Sequence, residues 1–372
     1  MSALPSRLAR DLHPVAWWGW AIGLAVVASM TTNPWLLLLV AAVAALVVAA
    51  RRGDQPWSRS FRLYVALAAV IVVVRVLFRI IFGGGDFGLV LLDLPEVPLP
   101  GWALGVHLLG PVTRESLLFG LYDGLRLGTI VICVGAANSL ANPKRLLRSM
   151  PAALYEVGTA LVVAVSVLPQ LADSLRRVRA AQRLRGGDTR RVGRLRRLVV
   201  PVLEDALERS LALAAGMDTR GYGRAGELTP ARRRRSGALM LAGLCGLCVG
   251  TYAVLDRTAP RVLALPMLAL GVVAALLGMV GAGRRVTRTR YRPDPWLLPE
   301  WLVLGSGAAA ATLAVVASNR DVLAAYPAPD SWPALTVTHL AVAGIALLGG
   351  MAAPAPGGAE QAAVGPAAVV VR

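Results

Sequence analysis

The chain has 372 residues, 56% of them hydrophobic and 16% charged, with a mean hydropathy of +0.62 and a formal net charge of +18. So much apolar surface excludes a water-soluble globular domain and requires a bilayer as partner. The charge does not indicate nucleic acid, because the arginines fall in short loops between apolar runs rather than on a soluble face interleaved with stacking aromatics; they fit positive-inside anchoring against anionic lipid.

In chain order, apolar runs occupy about 15–32, 34–50, 63–82, 116–141, 152–169, 237–255, 262–283, 300–318 and 335–353. Arg7 and Arg10 before the first run resemble a signal peptide, but the run continues past Thr31-Thr32-Asn33-Pro34 into a second one, so an uncleaved first helix is expected. These two short runs predict a hairpin that barely reaches the far side. Basic loops at 51–62, 143–150 and 284–292 belong in the cytoplasm, whereas 83–113 has Asp86, Asp93 and Glu96 with no Lys or Arg and belongs outside. Gly83-Gly84-Gly85 in that stretch reads as a flexible external turn.

Between 176 and 235 there are seventeen arginines against six carboxylates, a net +11 of the chain's +18. If 152–169 crossed the bilayer, either this block or the 143–150 loop would be placed outside. The run is therefore expected to lie along or dip into the inner face. The resulting expectation is an all-α polytopic membrane protein of about eight transmembrane helices, with both termini cytoplasmic. Its segments are N-terminal spans at 1–141, a cytoplasmic helical region at 142–235, C-terminal spans at 236–353 and a flexible tail at 354–372.

The basic block has helical order. Leu168, Leu171, Leu175 and Val178 form an apolar stripe, while Arg176, Arg179 and Arg183 share another side. This amphipathic helix ends at Ala181-Gln182-Arg183-Leu184-Arg185-Gly186-Gly187, where the glycines suit a left-handed cap and the arginines the negative helix end. A second helix is expected to open with Pro201 in its first turn and Glu204 and Asp205 close behind. In it Asp205 can pair with Arg209, and Leu203, Leu207, Leu211 and Ala214 form the apolar stripe. It ends through Ala215-Gly216-Met217-Asp218-Thr219-Arg220-Gly221. Both helices thus finish in small residues followed by Arg-Gly.

This arrangement resembles the T-component family of energy-coupling-factor transporters, which includes the cobalt-transport permease subunit. In that family two long cytoplasmic coupling helices end in Ala-Arg-Gly or Ala-Arg-Ser motifs whose arginines dock on a pair of ATPases. The matching triplets are Leu184-Arg185-Gly186 and Thr219-Arg220-Gly221. Thr32-Asn33-Pro34 and Asn142-Pro143-Lys144-Arg145-Leu146-Leu147 are also similar to the family, and the likeness covers about residues 10–225. It implies two ABC-type ATPase subunits and a small membrane substrate-binding (S) subunit as partners, beside the lipid bilayer. The substrate would be a vitamin or transition metal selected by the S subunit. An alternative is a self-contained permease or channel, which needs a polar pathway that these runs scarcely supply.

No catalytic residue or cofactor is expected. The single lysine, Lys144, follows Asn142-Pro143 instead of the glycine of a phosphate loop. His13, His107 and His339 are scattered, which argues against a metal site. Cys133, Cys245 and Cys248 fall inside apolar runs and read as small buried thiols, the C-x-x-C having no second pair. Asp123 and Arg126 are intramembrane polar residues three apart on one helix face, expected to neutralise each other. Gly246 and Gly250 form a G-x-x-x-G that suits close internal packing, and the four arginines at 232–235 suit a topology anchor.

Overall fold

The computed structural model describes residues 11–53, 60–82, 88–95, 109–149, 154–184, 191–221, 230–255, 261–283 and 296–354. Its helices are α1 (Pro14–Ser29), α2 (Pro34–Arg51), α3 (Phe61–Ile81), α4 (Arg114–Leu140), α5 (Pro143–Arg148), α6 (Tyr155–Leu184), α7 (Arg191–Thr219), α8 (Pro230–Leu255), α9 (Arg261–Gly283), α10 (Leu298–Arg320), α11 (Val322–Ala325) and α12 (Val337–Ala352). Each of the nine apolar runs is helical. Seven helical stretches, one of them Val157–Gln182 within α6, are long and apolar enough to cross a membrane, and α1 and α12 are shorter apolar helices. The expected tail and the Gly83–Gly85 turn lie outside the described residues.

The chain forms two compact units, residues 1–146 with 294–372, and residues 147–293. The first unit packs α1 against α10 and α4, α2 against α4 and α12, and α12 against α10. Lipid gives helices no hydrophobic drive to associate, so close packing and interhelical hydrogen bonds must hold them. Small residues supply the first: Ala16, Ala21, Ala44, Ala310 and Ala346 are buried, and Gly23 approaches Gly307 so closely that a Cβ on Gly23 would lie 2.3 Å from the Gly307 carbonyl oxygen. Trp20 is fully buried and its indole N–H donates to the Ala346 carbonyl at 3.0 Å.

Hydrogen bonds fasten both ends. Asn33 caps α2, its Oδ1 accepting from Trp35 N at 3.0 Å, while its Nδ2 donates to the carbonyls of Ala324 (3.0 Å) and Ala334 (2.9 Å). Beside it the Thr31 hydroxyl donates to Ala325 O at 2.7 Å. The Thr32-Asn33-Pro34 turn is thus tied to the segment between α10 and α12. At the opposite end, buried Glu300 accepts from His13 N at 3.4 Å and Leu297 N at 3.0 Å, which joins the start of α1 to the start of α10.

α3 packs along α4, and a short ribbon, β1 (Val90–Asp93) against β2 (Pro111–Thr113), follows them at one end. No alternation of polar and apolar residues announces this ribbon. It is defined instead by backbone bonds to the helix ends, Leu109 N to Ile81 O at 2.7 Å and Arg114 N to Leu89 O at 2.9 Å.

In the second unit α8 and α9 form a tight hairpin. A Cβ on Gly246 would lie 2.9 Å from Gly271 Cα, and one on Gly250 would lie 2.7 Å from the Leu268 side chain, so the G-x-x-x-G serves packing within the chain. Cys133 is buried, but Cys245 and Cys248 are exposed, contrary to the expectation of three buried thiols. The reason is geometric: α8 meets α9 along its glycine edge, and both cysteines lie off that edge. The four arginines at 232–235 lie in the first turns of α8 itself.

Candidate functional site

The basic block folds into two long helices. α6 has 30 residues and α7 has 29, about 45 Å each at 1.5 Å per residue. Two sequence expectations are corrected. The apolar run at 152–169 and the amphipathic stretch after it form one helix, with Pro169 in its interior. Likewise α7 begins at Arg191, ten residues ahead of Pro201, which becomes an interior proline on an exposed position. The Arg- and Leu-containing stretch before Pro201 has adequate helix propensity, and a proline removes only one backbone donor while disfavouring helix just before it. Neighbouring turns outweigh that local cost here.

Moving the helix start changes what Asp205 does. It is no first-turn acid; it sits midway along α7, where α6 meets it. The Ser174 hydroxyl, buried on α6, donates to its carboxylate. Arg177 Nη2 stands 3.5 Å from Oδ2, and Arg209, one turn further along α7, donates to Oδ1 through Nε and Nη2, both at 2.9 Å. The Asp205 carboxyl is held below its ordinary range, chiefly by the Ser174 hydrogen bond, with Arg209 and Arg177 adding and desolvation opposing. The Asp205–Arg209 pair was legible from spacing. Ser174 and Arg177 were not, because they lie about thirty residues away in sequence.

This linkage has a pH sign. A carboxyl whose folded pKa is depressed contributes stability above its unfolded value and loses it as pH falls through the folded value. The α6–α7 link is therefore expected to be fully present at neutral pH and to weaken only below the ordinary carboxylate range. Asp205→Asn should loosen it at pH 7, seen as faster amide hydrogen exchange around 171–178 and 202–209. Unchanged exchange in that variant would mean that the carboxylate charge is not what joins the helices.

Around this contact the two helices show different faces. Leu171, Leu175 and Val178 on α6 are half-buried, as are Val202 and Ala206 beside Asp205 on α7. The expected stripe of α7 lies elsewhere: Leu203, Leu207 and Leu211 are 60%, 62% and 63% exposed. Four-residue spacing makes them a continuous apolar ridge on a charged helix.

At the ends, Ala181 is exposed and Arg183 falls in the last turn of α6, whereas Arg185 and Gly186 lie outside the described residues. α7 closes with Arg220 N donating to Met217 O at 3.2 Å and Gly221 N to Asp218 O at 2.9 Å. Gly221 has φ +75°, the left-handed region that glycine enters without the Cβ penalty. Ala215, Arg220 and Gly221 are all exposed, so the tip of α7 presents an arginine at the surface on a defined turn.

The intramembrane expectation is corrected as well. Asp123 pairs with Arg75 of α3 at 3.1 Å, not with Arg126. Arg126 donates to the Ser29 carbonyl at the end of α1, the negative end of that helix dipole. Packing against α3 and α1 gives each group a better-placed partner than the one three residues away. Among the described residues no three His, Cys, Asp or Glu side chains gather as a metal site.

An all-α chain with several apolar helices long enough to span a bilayer, joined to a pair of long, polar-edged helices, is a multi-pass membrane protein. The family model described as CbiQ, cobalt transport protein, matches residues 5–230. The chain belongs to that family of membrane transport components. The match takes in α1 to α7 and stops where α8 begins, so α8 to α12 lie beyond it. No protein with a curated description matches the chain.

Proposed function

We propose that this protein is the transmembrane coupling (T) subunit of an energy-coupling-factor importer, passing the movement of two ABC-type ATPase subunits to a small substrate-binding membrane subunit. The supporting observation is the α6–α7 pair: two helices about 45 Å long, linked through Ser174, Arg177 and Asp205, with an exposed leucine ridge and an exposed Arg220-Gly221 tip. Arginine keeps its charge and offers a planar fork that bonds a carboxylate twice, so an arginine at each tip suits a groove on an acidic partner. Linked helices would convert approach of the two tips into a shift of the leucine ridge, which suits an apolar partner.

In this reading α6 and α7 lie on the cytoplasmic side and both termini are cytoplasmic, since a crossing by the apolar half of α6 would carry a basic segment outward. ATP is hydrolysed by the partners, the chain having no phosphate-loop lysine. The family description makes cobalt the first substrate to test, held by the substrate-binding subunit.

The test is a pull-down of the tagged protein in detergent, with identification of partners and ATPase assay of the eluate, comparing wild type with Arg185→Ala plus Arg220→Ala. Two ATPase subunits and a small apolar protein recovered with wild type alone would support the coupling role. Recovery of the chain by itself, with transport on reconstitution, would replace that reading with a self-contained permease.

A further inference from the structure

The first unit contains a cavity of about 180 Å³ where the ends of α1 and α10 meet the starts of α2 and α12. Its polar lining is Thr31, Ser318, Arg320, Asp321, Thr336, Thr338 and His339. All but Thr31, whose hydroxyl already donates to Ala325 O, belong to the part of the chain beyond the family match, while the opposite wall, including Val27 and Leu36, belongs to the matched part.

The lining is rich in unspent donors. His339 is 6% exposed, and its Nδ1 accepts from Thr336 N at 3.4 Å, which leaves Nε2 to carry the proton. Among the described residues Nε2 has no hydrogen-bond partner, and neither do the Arg320 guanidinium or the Ser318 and Thr338 hydroxyls. Ser318 is itself only 8% exposed. Asp321 is partly occupied, its Oδ1 accepting from Ala324 N at 3.0 Å. A guanidinium, an imidazole N–H and two hydroxyls around one space, two of these groups nine-tenths buried, form a setting for an oxyanion in which the Asp321 carboxylate, held by Ala324 N, is the one opposing charge in the lining.

Size and depth narrow the choice. The volume is about six water volumes and falls below the roughly 300–1,000 Å³ of pockets for drug-sized ligands, so it suits a phosphate group and a short polar stem better than a vitamin. Exposed Trp35 and Trp332 stand on the segments that Asn33 ties together at this end, and exposed tryptophans of this kind mark the headgroup level of a bilayer. Below the polar groups the lining turns apolar through Leu313 and Val316, the latter 46% exposed towards the surroundings of the helix bundle. Polar donors over an apolar, outward-opening wall match a lipid with its headgroup up and its chain alongside.

We propose that the cavity bounded by Ser318, Arg320, Thr338 and His339 binds the phosphate of a glycerophospholipid, with the acyl chain lying along α10. The lipid would brace the extra C-terminal helices against the matched core.

The full chain in detergent, titrated with phosphatidylglycerol and followed by native mass spectrometry, tests this. Arg320→Gln combined with Ser318→Ala should weaken lipid binding about tenfold or more, since hydrogen bonds to a charged group are lost, and Arg320→Lys should keep most of it. Arg320 is exposed and Ser318→Ala removes a single unbonded hydroxyl without adding volume, so the variants are expected to elute and melt as wild type does. A phosphate-free glycolipid with the same acyl chains should bind as weakly to wild type as phosphatidylglycerol does to the double variant. Equal binding of phosphatidylglycerol to wild type and double variant, or of the two lipids to wild type, would overturn the proposal. So would displacement of the bound lipid by millimolar inorganic phosphate, which would make free phosphate the ligand.

Discussion

Exchanging Arg185 and Arg220 together for glutamate is expected to abolish co-purification of the ATPase subunits and, with it, uptake. In the proposed docking each substitution would remove a charge-assisted hydrogen bond and place a carboxylate against a surface that would have to be acidic to receive arginine. Hydrogen bonds to charged groups contribute about 1.5–3 kcal/mol each. Losing two, with repulsion added, should weaken assembly at least a hundredfold. Arg220 is exposed and its backbone turn is held by Met217 and Asp218 carbonyls, so its replacement leaves the helix intact. Retained assembly and transport in the double variant would count decisively against docking through the helix tips. The single variants separate two joints from one, because a two-point attachment loses more on the second removal than on the first.

A leucine at Gly307 should have the largest effect on stability. A Cβ there would stand 2.6 Å from Trp20 Cα and 2.9 Å from Trp20 O. Those are backbone atoms and cannot turn aside, so α1 and α10 must separate. Overpacking typically costs about 1–3 kcal/mol and sometimes more; with backbone on both sides, Gly307→Leu is expected at or above the top of that range and Gly307→Ala within it. Gly305, two residues away on the same helix, has nothing within 4 Å of the position of a Cβ. Gly305→Ala should therefore be neutral or stabilise α10 by up to about 1 kcal/mol through helix propensity alone. Thermal unfolding in detergent, with all three variants in the same micelle, distinguishes the two positions. Similar midpoints for Gly305→Ala and Gly307→Ala would mean that the α1–α10 contact is looser than the structure has it.

Much of the architecture could be read without coordinates, since the features concerned are periodic or local. Nine apolar runs became helices because a bilayer demands long, internally hydrogen-bonded segments. Asp205 and Arg209 met because four residues make one helical turn. Gly246 and Gly250 packed inside the chain because small residues on one edge invite a neighbour.

What failed were statements about groups whose partners lie on other helices or whose local preference is overridden by their neighbours. Asp123 and Arg126 satisfied the spacing for a pair and yet bond to Arg75 and Ser29, on two other helices. Pro201 looked like a helix start because its local preference was weighed without the turns that surround it. The leucines of α7 were correctly grouped as a stripe, but spacing alone does not indicate whether a stripe is covered by the chain or left open.

The sequence by itself determined that this chain is helical, lives in a membrane, concentrates positive charge in one block and carries two Arg-Gly pairs within it. Those properties depend on composition and on period, which a chain carries before it folds. Only the tertiary structure decided that Ser174 and Arg177 hold Asp205, that the ridge of Leu203, Leu207 and Leu211 stays exposed, and that α10 and α12 close around α1 and α2. Each of these depends on residues far apart in sequence meeting at one point, and nothing in local periodicity records which distant helix will arrive there.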